Sequence, residues 1–366
     1  MKMKINKIII TGYELSGLGG METVCSTLVR LLRARHPGVE ISFVFFKEGN
    51  NVVNDDWLAD RHHCRITSGI KNTKIRRLSF ANSFRRLIRK EQPELVIALD
   101  TLSCFISNIA RRFTLNKPVI FSWLHFSTHN LYKAKYVKRA DYHLAICSEI
   151  SEQLAEMGIV NNRISTIYNP VARSPVCIPR PQEGSRFIYV GRIIADGQKN
   201  MRGLFDALAQ TKGTWTLDVI GAGADVEILQ KQAKSLGIDD RIYWHGWQKS
   251  PWTYIRETLK TTTCLLSSSH FEGFCMVLAE ASAHGVYAIS SNCKTGPADI
   301  IKEEINGNLY PTDRPEVFVA RLQEIVDGKT LPDGNMIKQA IEPFYEDNYT
   351  LEVINAFARA GLNFAE

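Results

Sequence analysis

The chain of 366 residues is long enough for two domains rather than one. Its 45% hydrophobic and 23% charged residues are those of an ordinary globular protein, and no apolar run approaches the roughly 20 residues needed to cross a bilayer. The net charge of +7 conceals an asymmetry: residues 1–180 hold 27 basic against 14 acidic side chains, a net of +13, and the remainder is −6. Solvated helix faces account for most charge runs, but an excess of this size in one half argues for an anionic partner: phosphorylated substrate, acidic membrane surface or nucleic acid.

Taken in chain order, the first residues are charged and lead into Ile8-Ile9-Ile10, a run too short for a secretory core, which reads as a first buried strand. Ser16-Gly17-Leu18-Gly19-Gly20-Met21-Glu22 follows it and opens a helix. Glycines there let backbone approach a phosphate or a sugar. The spacing is not G-x-G-x-x-G, and no acidic residue closes a second strand, so a dinucleotide site is weakly supported and a simple tight turn is an equal reading. Strands are expected at residues 39–46, 95–99, 119–122, 142–147 and 163–168, with helices between them, for example 22–35 and 102–113. Short Val/Ile/Leu runs alternating with helices predict a parallel sheet buried on both faces. The basic charge gathers in Lys71-Asn72-Thr73-Lys74-Ile75-Arg76-Arg77, in Arg85-Arg86-Leu87-Ile88-Arg89-Lys90, at Arg111-Arg112 and over residues 133–139. His125 closes the strand ending Ser122-Trp123-Leu124; a lone histidine is commonly structural, but a strand end is where ligands are met. His62-His63 reads as a loop pair.

After Asn169-Pro170 the pattern breaks, and Pro175, Pro179 and Pro181 mark residues 171–185 as a linker. A second α/β series has strands at residues 187–190, 216–220, 242–244, 264–266 and 287–290. The expected organisation is a basic Rossmann-like domain over 1–170 and a second over 186–345, facing a cleft. Residues 346–366 are expected to form a helix, within a helical, aromatic-rich stretch from 341 to 364. The eight cysteines (25, 64, 104, 147, 177, 264, 275 and 293) are scattered without a C-x-x-C pair and read as reduced thiols of a cytosolic protein; no His/Cys cluster has metal-site spacing.

The second half carries the chemistry. Tyr189-Val190-Gly191-Arg192 ends a strand, and Lys199 of Gly197-Gln198-Lys199-Asn200 stands at the next helix start, where a cation opposes the helix dipole unless an anion sits between. Two surface cations are the plainer reading; a diphosphate clamp is the functional one. Ile220-Gly221-Ala222-Gly223 is another strand-end turn, for packing or for nucleotide approach. In Tyr243-Trp244-His245-Gly246-Trp247-Gln248, Trp247 is either a packing residue or a platform for a base. Phe271-Glu272-Gly273-Phe274-Cys275-Met276-Val277-Leu278-Ala279-Glu280 places two glutamates eight residues apart across a strand-loop-helix junction. Helix-start amides meet phosphate and paired carboxylates grip sugar hydroxyls, so the junction points to a nucleotide-sugar. Neither a nucleophile elbow nor a P-loop occurs, which leaves simple hydrolase and kinase readings unsupported.

Together and in order, these features resemble the retaining glycosyltransferases of family 4, which have the two-domain GT-B fold. Glu272…Glu280 resembles their E-x7-E motif, Gly19-Gly20-Met21-Glu22 their G-G-x-E loop, and Gly191-Arg192 with Lys199-Asn200 their G-R…K-N clamp. The resemblance implies that the first domain binds the acceptor and the second the UDP-sugar, that the helix of residues 346–366 packs back on the first domain, and that Glu272 contacts the donor sugar and Glu280 the nucleotide ribose. It also implies that Arg192 and Lys199 hold the diphosphate, that backbone around Gly273, Phe274, Cys275 and Met276 reaches sugar and phosphate, and that His125 places donor sugar or acceptor. Gly19, Gly20 and Gly191 belong to the donor loops, and Trp247 with Gln248 to the uracil side. Cys275 stands where the family usually has proline, which is expected to loosen the loop slightly.

Within the family the chain resembles the lipopolysaccharide-core galactosyltransferases. That implies transfer of galactose from UDP-galactose to a core glucose in α-1,6 linkage, with no metal and no cofactor beyond the UDP-sugar substrate. It further implies a cytoplasmic protein at the inner face of the membrane, held to the anionic surface by the charge of its basic domain rather than by insertion, with no nucleic-acid partner. The alternatives are a lipopolysaccharide glucosyltransferase or UDP-sugar epimerase of the same fold, and a non-catalytic binder of anionic polymer.

Overall fold

The structure is a computed structural model that describes residues 3–15, 17, 20–49, 53–58 and 60–364. The chain divides into two compact units, Met1–Pro170 with Glu346–Glu366, and Val171–Tyr345. Each is built on a parallel sheet flanked by helices, an α/β architecture.

In the first unit the strands are β1 (Met3–Ile5), β2 (Lys7–Tyr13), β3 (Glu40–Lys47), β4 (His63–Thr67), β5 (Leu95–Ala98), β6 (Val119–Leu124), β7 (Tyr142–Ala145) and β8 (Ile164–Thr166). Helices α1 (Gly20–Arg35), α2 (Thr73–Glu91), α3 (Thr101–Arg111) and α4 (Ser148–Glu156) connect them. Among the described residues the main sheet runs β4-β3-β2-β5-β6-β7-β8, all pairs parallel. The strand order reverses between β2 and β5, the kind of switch point where α/β sheets bind ligands. Continuous apolar runs form these strands because both faces are covered: Ile9, Val44 and Phe46 pack on Phe80, Phe84 and Ile88 of α2 and on Cys104 and Ile106 of α3.

Two readings of this unit change. His63 is the first residue of β4, paired with Phe43, so the histidine pair is not wholly loop. The C-terminal stretch is not one helix: a 3₁₀ turn (Glu342–Phe344) precedes the last helix, Glu346–Arg359, and Gly361 at φ 78 ends it. The last strand (Leu362–Phe364) then pairs with β1, Met3 opposite Leu362. The helix sits in the first unit with Phe357 edge-on to Phe121 at 5.2 Å and Arg359 donating to Ser165 Oγ at 3.0 Å.

The second unit continues the series with β9 (Ser185–Val190), β10 (Trp215–Ile220), β11 (Ile242–Gly246), β12 (Cys264–Ser267), β13 (Tyr287–Ser291) and β14 (Gly307–Tyr310). Its helices include α5 (Met201–Gln210), α6 (Val226–Leu236), α7 (Pro251–Tyr254), which runs into a π-helical turn (Ile255–Leu259), and α8 (Met276–Ala283). Among the described residues the sheet order is β11-β10-β9-β12-β13-β14, again parallel and reversing between β9 and β12. Residues 171–185 run along this unit: Ile178 N–H donates to His284 O at 2.9 Å, and Pro179 O accepts from Thr262 N–H at 2.9 Å.

Beneath the sheet's ligand end lies a buried charge network. Asp218 of β10, 1% exposed at its side chain, accepts from Arg186 Nε of β9 and pairs with His245 Nε2 of β11, each at 2.6 Å. Tyr254 Oη meets His245 Nδ1 at 2.9 Å, and Arg186 also holds the Leu259 carbonyl at 2.8 Å. Three strands and the α7 turn are thereby tied to one carboxylate. Removing one partner of a buried pair strands the others without compensation. Asp218→Ala is expected to lower the unfolding free energy by about 3 kcal/mol, with Asp218→Asn intermediate, in urea titrations followed by tryptophan fluorescence.

Candidate functional site

The loops that leave β9 and β12, either side of the second unit's switch point, are stapled together. Ser268 Oγ donates to the carbonyls of Lys199 and Asn200, each at 2.9 Å, and His270 N–H donates to Gln198 O at 2.8 Å. This brings Lys199 Nζ to 2.6 Å from Glu272 Oε1, with Ser269 Oγ donating to the same oxygen at 2.6 Å. The pair is largely buried, 15% and 8% exposed. Burial disfavours the Lys199 charge, but the adjoining Glu272 carboxylate outweighs it and raises the lysine above its ordinary pKa. Arg192 is exposed and donates to Gln198 Oε1 at 2.7 Å, so both expected clamp cations border one loop.

A cavity of about 220 Å³ opens beside them, lined by Val190, Gly191, Arg192, Ile220, Gly221, Ala222, Trp247, Gln248 and Pro251. The Gly221-Ala222-Gly223 turn packs closely, as its packing reading has it, and Gly221 and Ala222 also line the cavity. A Cβ on Gly221 would lie 1.8 Å from Gly191 O, and one on Gly223 would lie 1.9 Å from Ile193 O. Trp247 is 68% exposed rather than a packing residue, and Gln248 is fixed by a 2.9 Å bond from its Nε2 to His245 O. A larger hollow, about 690 Å³, lies at the opposite ends of β2 and β3, where Lys7, Glu40 and Glu91 already pair among themselves.

The loop from Glu272 to Met276 is braced by its neighbour. Phe271 pairs with Lys294, Thr295 Oγ1 donates to Glu272 O, and Gly296 (φ 99) passes so close to Phe274 that a Cβ would lie 2.2 Å from its carbonyl oxygen. Gly273 is half-buried, and the Phe274 ring is buried against Phe344 at 5.6 Å. Cys275 is the N-cap of α8 at φ 66, with no side-chain cap among the described residues, and Met276 is the first helical residue. The expectation of a merely looser loop is therefore corrected: a proline ring, locked near φ −65°, cannot occupy this backbone, so the cysteine goes with a different turn.

Glu280 lies on α8 one turn beyond Met276. Trp252 Nε1 donates to its Oε2 at 2.8 Å, and the same indole stacks on His284 at 4.9 Å. Burial raises the Glu280 pKa, and the indole bond counters it. Trp252, Ser269 and Thr295 are absent from the sequence-level site. Ser269 stands in the polar run before Glu272, but nothing in the pattern around Trp252 links it to a carboxylate 28 residues away.

In the first unit His125 follows β6 and is 5% exposed, its Nε2 without a hydrogen-bond partner among the described residues and its ring 4.6 Å from Trp123. Burial lowers its pKa to about 3, so the ring is neutral at physiological pH. Gly20 is the first residue of α1, and Gly17 N–H donates to Glu22 Oε1 at 2.7 Å; Gly19 lies outside the described residues. Among the described residues no three His, Cys, Asp or Glu side chains converge as a metal cluster.

Residues 18–174 match Glycosyltransferase Family 4, and residues 177–342 match Glycosyl transferases group 1. Over 352 residues the chain is 38% identical to the lipopolysaccharide 1,6-galactosyltransferase of Salmonella typhimurium, spanning 96% of this chain and 98% of that protein. The chain belongs to glycosyltransferase family 4. This glycosyltransferase is likewise 38% identical to the lipopolysaccharide 1,6-galactosyltransferase of Escherichia coli over 94% of its length and 95% of that protein's. The solved apo form of the lipopolysaccharide outer core galactosyltransferase WaaB has a TM-score of 0.92 at 38% identity, with 97% of this chain and 99% of that one covered. Anabaena HepE, solved with UDP, has a TM-score of 0.76 over 96% of this chain and 99% of its own, but at 14% identity it shares the fold alone.

The Lys199–Glu272 pair gives a stability signature. Lys199→Met leaves a buried carboxylate and Glu272→Gln leaves a buried ammonium, so each single change is expected to cost about 3 kcal/mol. The double variant is expected to cost clearly less than their sum, a coupling readable from chemical denaturation of all four proteins.

Proposed function

We propose that this glycosyltransferase moves galactose from UDP-galactose onto a glucose of the lipopolysaccharide core, with retention and in α-1,6 linkage. The carrying observation for the donor is the Lys199–Glu272 pair at the β9/β12 switch point beside the cavity that Arg192 and Trp247 line. The sugar and acceptor rest on the 38% identity, over nearly the full length, to two lipopolysaccharide 1,6-galactosyltransferases.

In this reading uracil stacks on Trp247 with Gln248 at its edge, and the ribose hydroxyls bind the Glu280 oxygen that Trp252 leaves available. The diphosphate draws Lys199 away from Glu272 and adds Arg192 and the amides at the start of α8. The Glu272 carboxylate, so released, accepts from hydroxyls of the donor sugar. As the bond to UDP breaks, negative charge grows on the β-phosphate, and these cations and amides stabilise it. The sugar becomes oxocarbenium-like, and the acceptor hydroxyl attacks on the face that UDP leaves, its proton passing to the departing phosphate. His125, neutral and with a ring nitrogen that has no partner among the described residues, supplies a hydrogen bond to the donor sugar or the acceptor rather than a charge. The cations of the protein neutralise the leaving group, so no metal enters this scheme.

The test is transfer of radiolabelled galactose to lipopolysaccharide from a core-truncated strain, with UDP-glucose in parallel. Galactose-selective transfer is expected, and Glu272→Ala is expected to reduce it at least about 100-fold. Preferential transfer of glucose would overturn the donor.

We further propose that the basic first unit rests on the inner, anionic face of the cytoplasmic membrane. No helix among the described residues is long and apolar enough to cross a membrane. The outer side of α2 exposes Arg86, Arg89 and Lys90, and Arg89 holds the Phe113 carbonyl at 2.7 Å in a loop whose Phe113 and Leu115 are exposed. Cosedimentation with vesicles containing phosphatidylglycerol is expected at low salt, lost at high salt, and weakened by Arg86→Glu with Lys90→Glu. Salt-independent binding would contradict it.

A further inference from the structure

The first unit also has a switch point, between β2 and β5, and the side chains around it are not explained by its fold. Tyr13 ends β2, and its N–H donates to Asp100 Oδ2 at 2.8 Å. Asp100 is spent as the N-cap of α3, accepting from Ser103 N–H at 2.8 Å and Ser103 Oγ at 2.6 Å. Thr101 Oγ1 donates to Tyr132 O at 2.7 Å, which fixes Tyr132 at the start of α3. The start of α2 reaches the same place, and its first turn holds no acidic residue. Lys74, Arg76 and Arg77 stand there instead, opposing the helix dipole. Arg76 is neutralised by Glu48 at 2.8 Å.

Arg77 is not neutralised. It is only 9% exposed, forms no ion pair among the described residues, and its Nε has no hydrogen-bond partner there. The neutral tyrosines Tyr132 and Tyr13 supply its neighbouring hydroxyls. Its guanidinium carbon lies 5.5 Å from the centre of the Tyr132 ring, and Lys133 Nζ lies 5.7 Å from the same centre. The Tyr132 ring is itself 61% exposed. A buried cation without a counter-charge is costly, and here it sits at a ligand-binding position beside an open aromatic face and a second cation. Aromatic faces pack against the C–H faces of sugars; guanidinium forks bind phosphate and carboxylate.

We propose that Arg77, Tyr132 and Lys133 form a subsite for an acidic sugar of the acceptor glycan, Tyr132 under the ring and Arg77 and Lys133 on its phosphate or carboxylate. The inference rests on the first unit being the acceptor-binding unit, and it specifies which chemistry that unit recognises.

The test is calorimetric titration of the full chain, without donor, with lipid-free core oligosaccharide in native, dephosphorylated and carboxyl-reduced forms. The native glycan is expected to bind at least about 10-fold tighter than one of the two neutralised forms, and which one identifies the acidic group. Lys133→Glu is expected to remove that preference, and Tyr132→Ala to weaken every form. Both lie at exposed positions and are expected to keep UDP affinity, which reports that the chain is folded. Equal binding of all three glycans, wild-type behaviour of Lys133→Glu, or no glycan binding would overturn the subsite. Charge-dependent glycan binding without galactose transfer would retain it and remove the donor reading; normal transfer with charge-indifferent binding would do the reverse.

Discussion

The second unit is organised around one short contact, the ion pair between Lys199 and Glu272. Two loops from different strands converge on it, the serines of the β12 loop hold both sides, and the neighbouring turn at Thr295 and Gly296 prevents the glutamate backbone from withdrawing. The pair is electrically closed, since each charge has its partner. A buried pair of this kind is weak evidence of stability for its own sake, because desolvation offsets most of the attraction. What the fold does is station a cation and a carboxylate at the switch point and keep both from collapsing elsewhere.

A second layer supports this one. Asp218 links three strands and the α7 turn from below, and that turn carries Pro251 into the cavity and Trp252 onto Glu280. The ligand-facing groups are thus fixed by polar contacts whose own partners are buried, which is how a site built on loops acquires the rigidity of the sheet beneath it.

Much of this was legible before any coordinates. The short apolar runs named the parallel strands because both sheet faces are covered, and the Glu272…Glu280 spacing with Gly191-Arg192 and Lys199 marked the loops that the structure staples together. What escaped has physical reasons. β4 exposes much of its length and so lacks a buried-strand pattern, and its leading histidine looked like loop. The pairing of the last strand with β1 joins residues about as distant as the chain permits, beyond the range of local periodicity. Trp252 meets Glu280 only because α7 folds back on α8. The left-handed turn at Cys275 belongs to the backbone, and a side-chain substitution reports it only as the loss of a proline.

The last strand has a consequence for how the chain is made. Because Leu362–Phe364 completes the pairing of Met3–Ile5, the first unit encloses the whole of the second between its own parts. On the ribosome the second unit is fully emitted, and free to fold, while β1 still waits for its neighbour. Folding of that insert shortens the effective loop that must close, and the final helix and strand then act as a latch on a nearly finished domain. Synthesis interrupted near residue 345 would leave a complete second unit attached to an unlatched first unit with Phe121 uncovered, the kind of half-made surface that chaperones recognise.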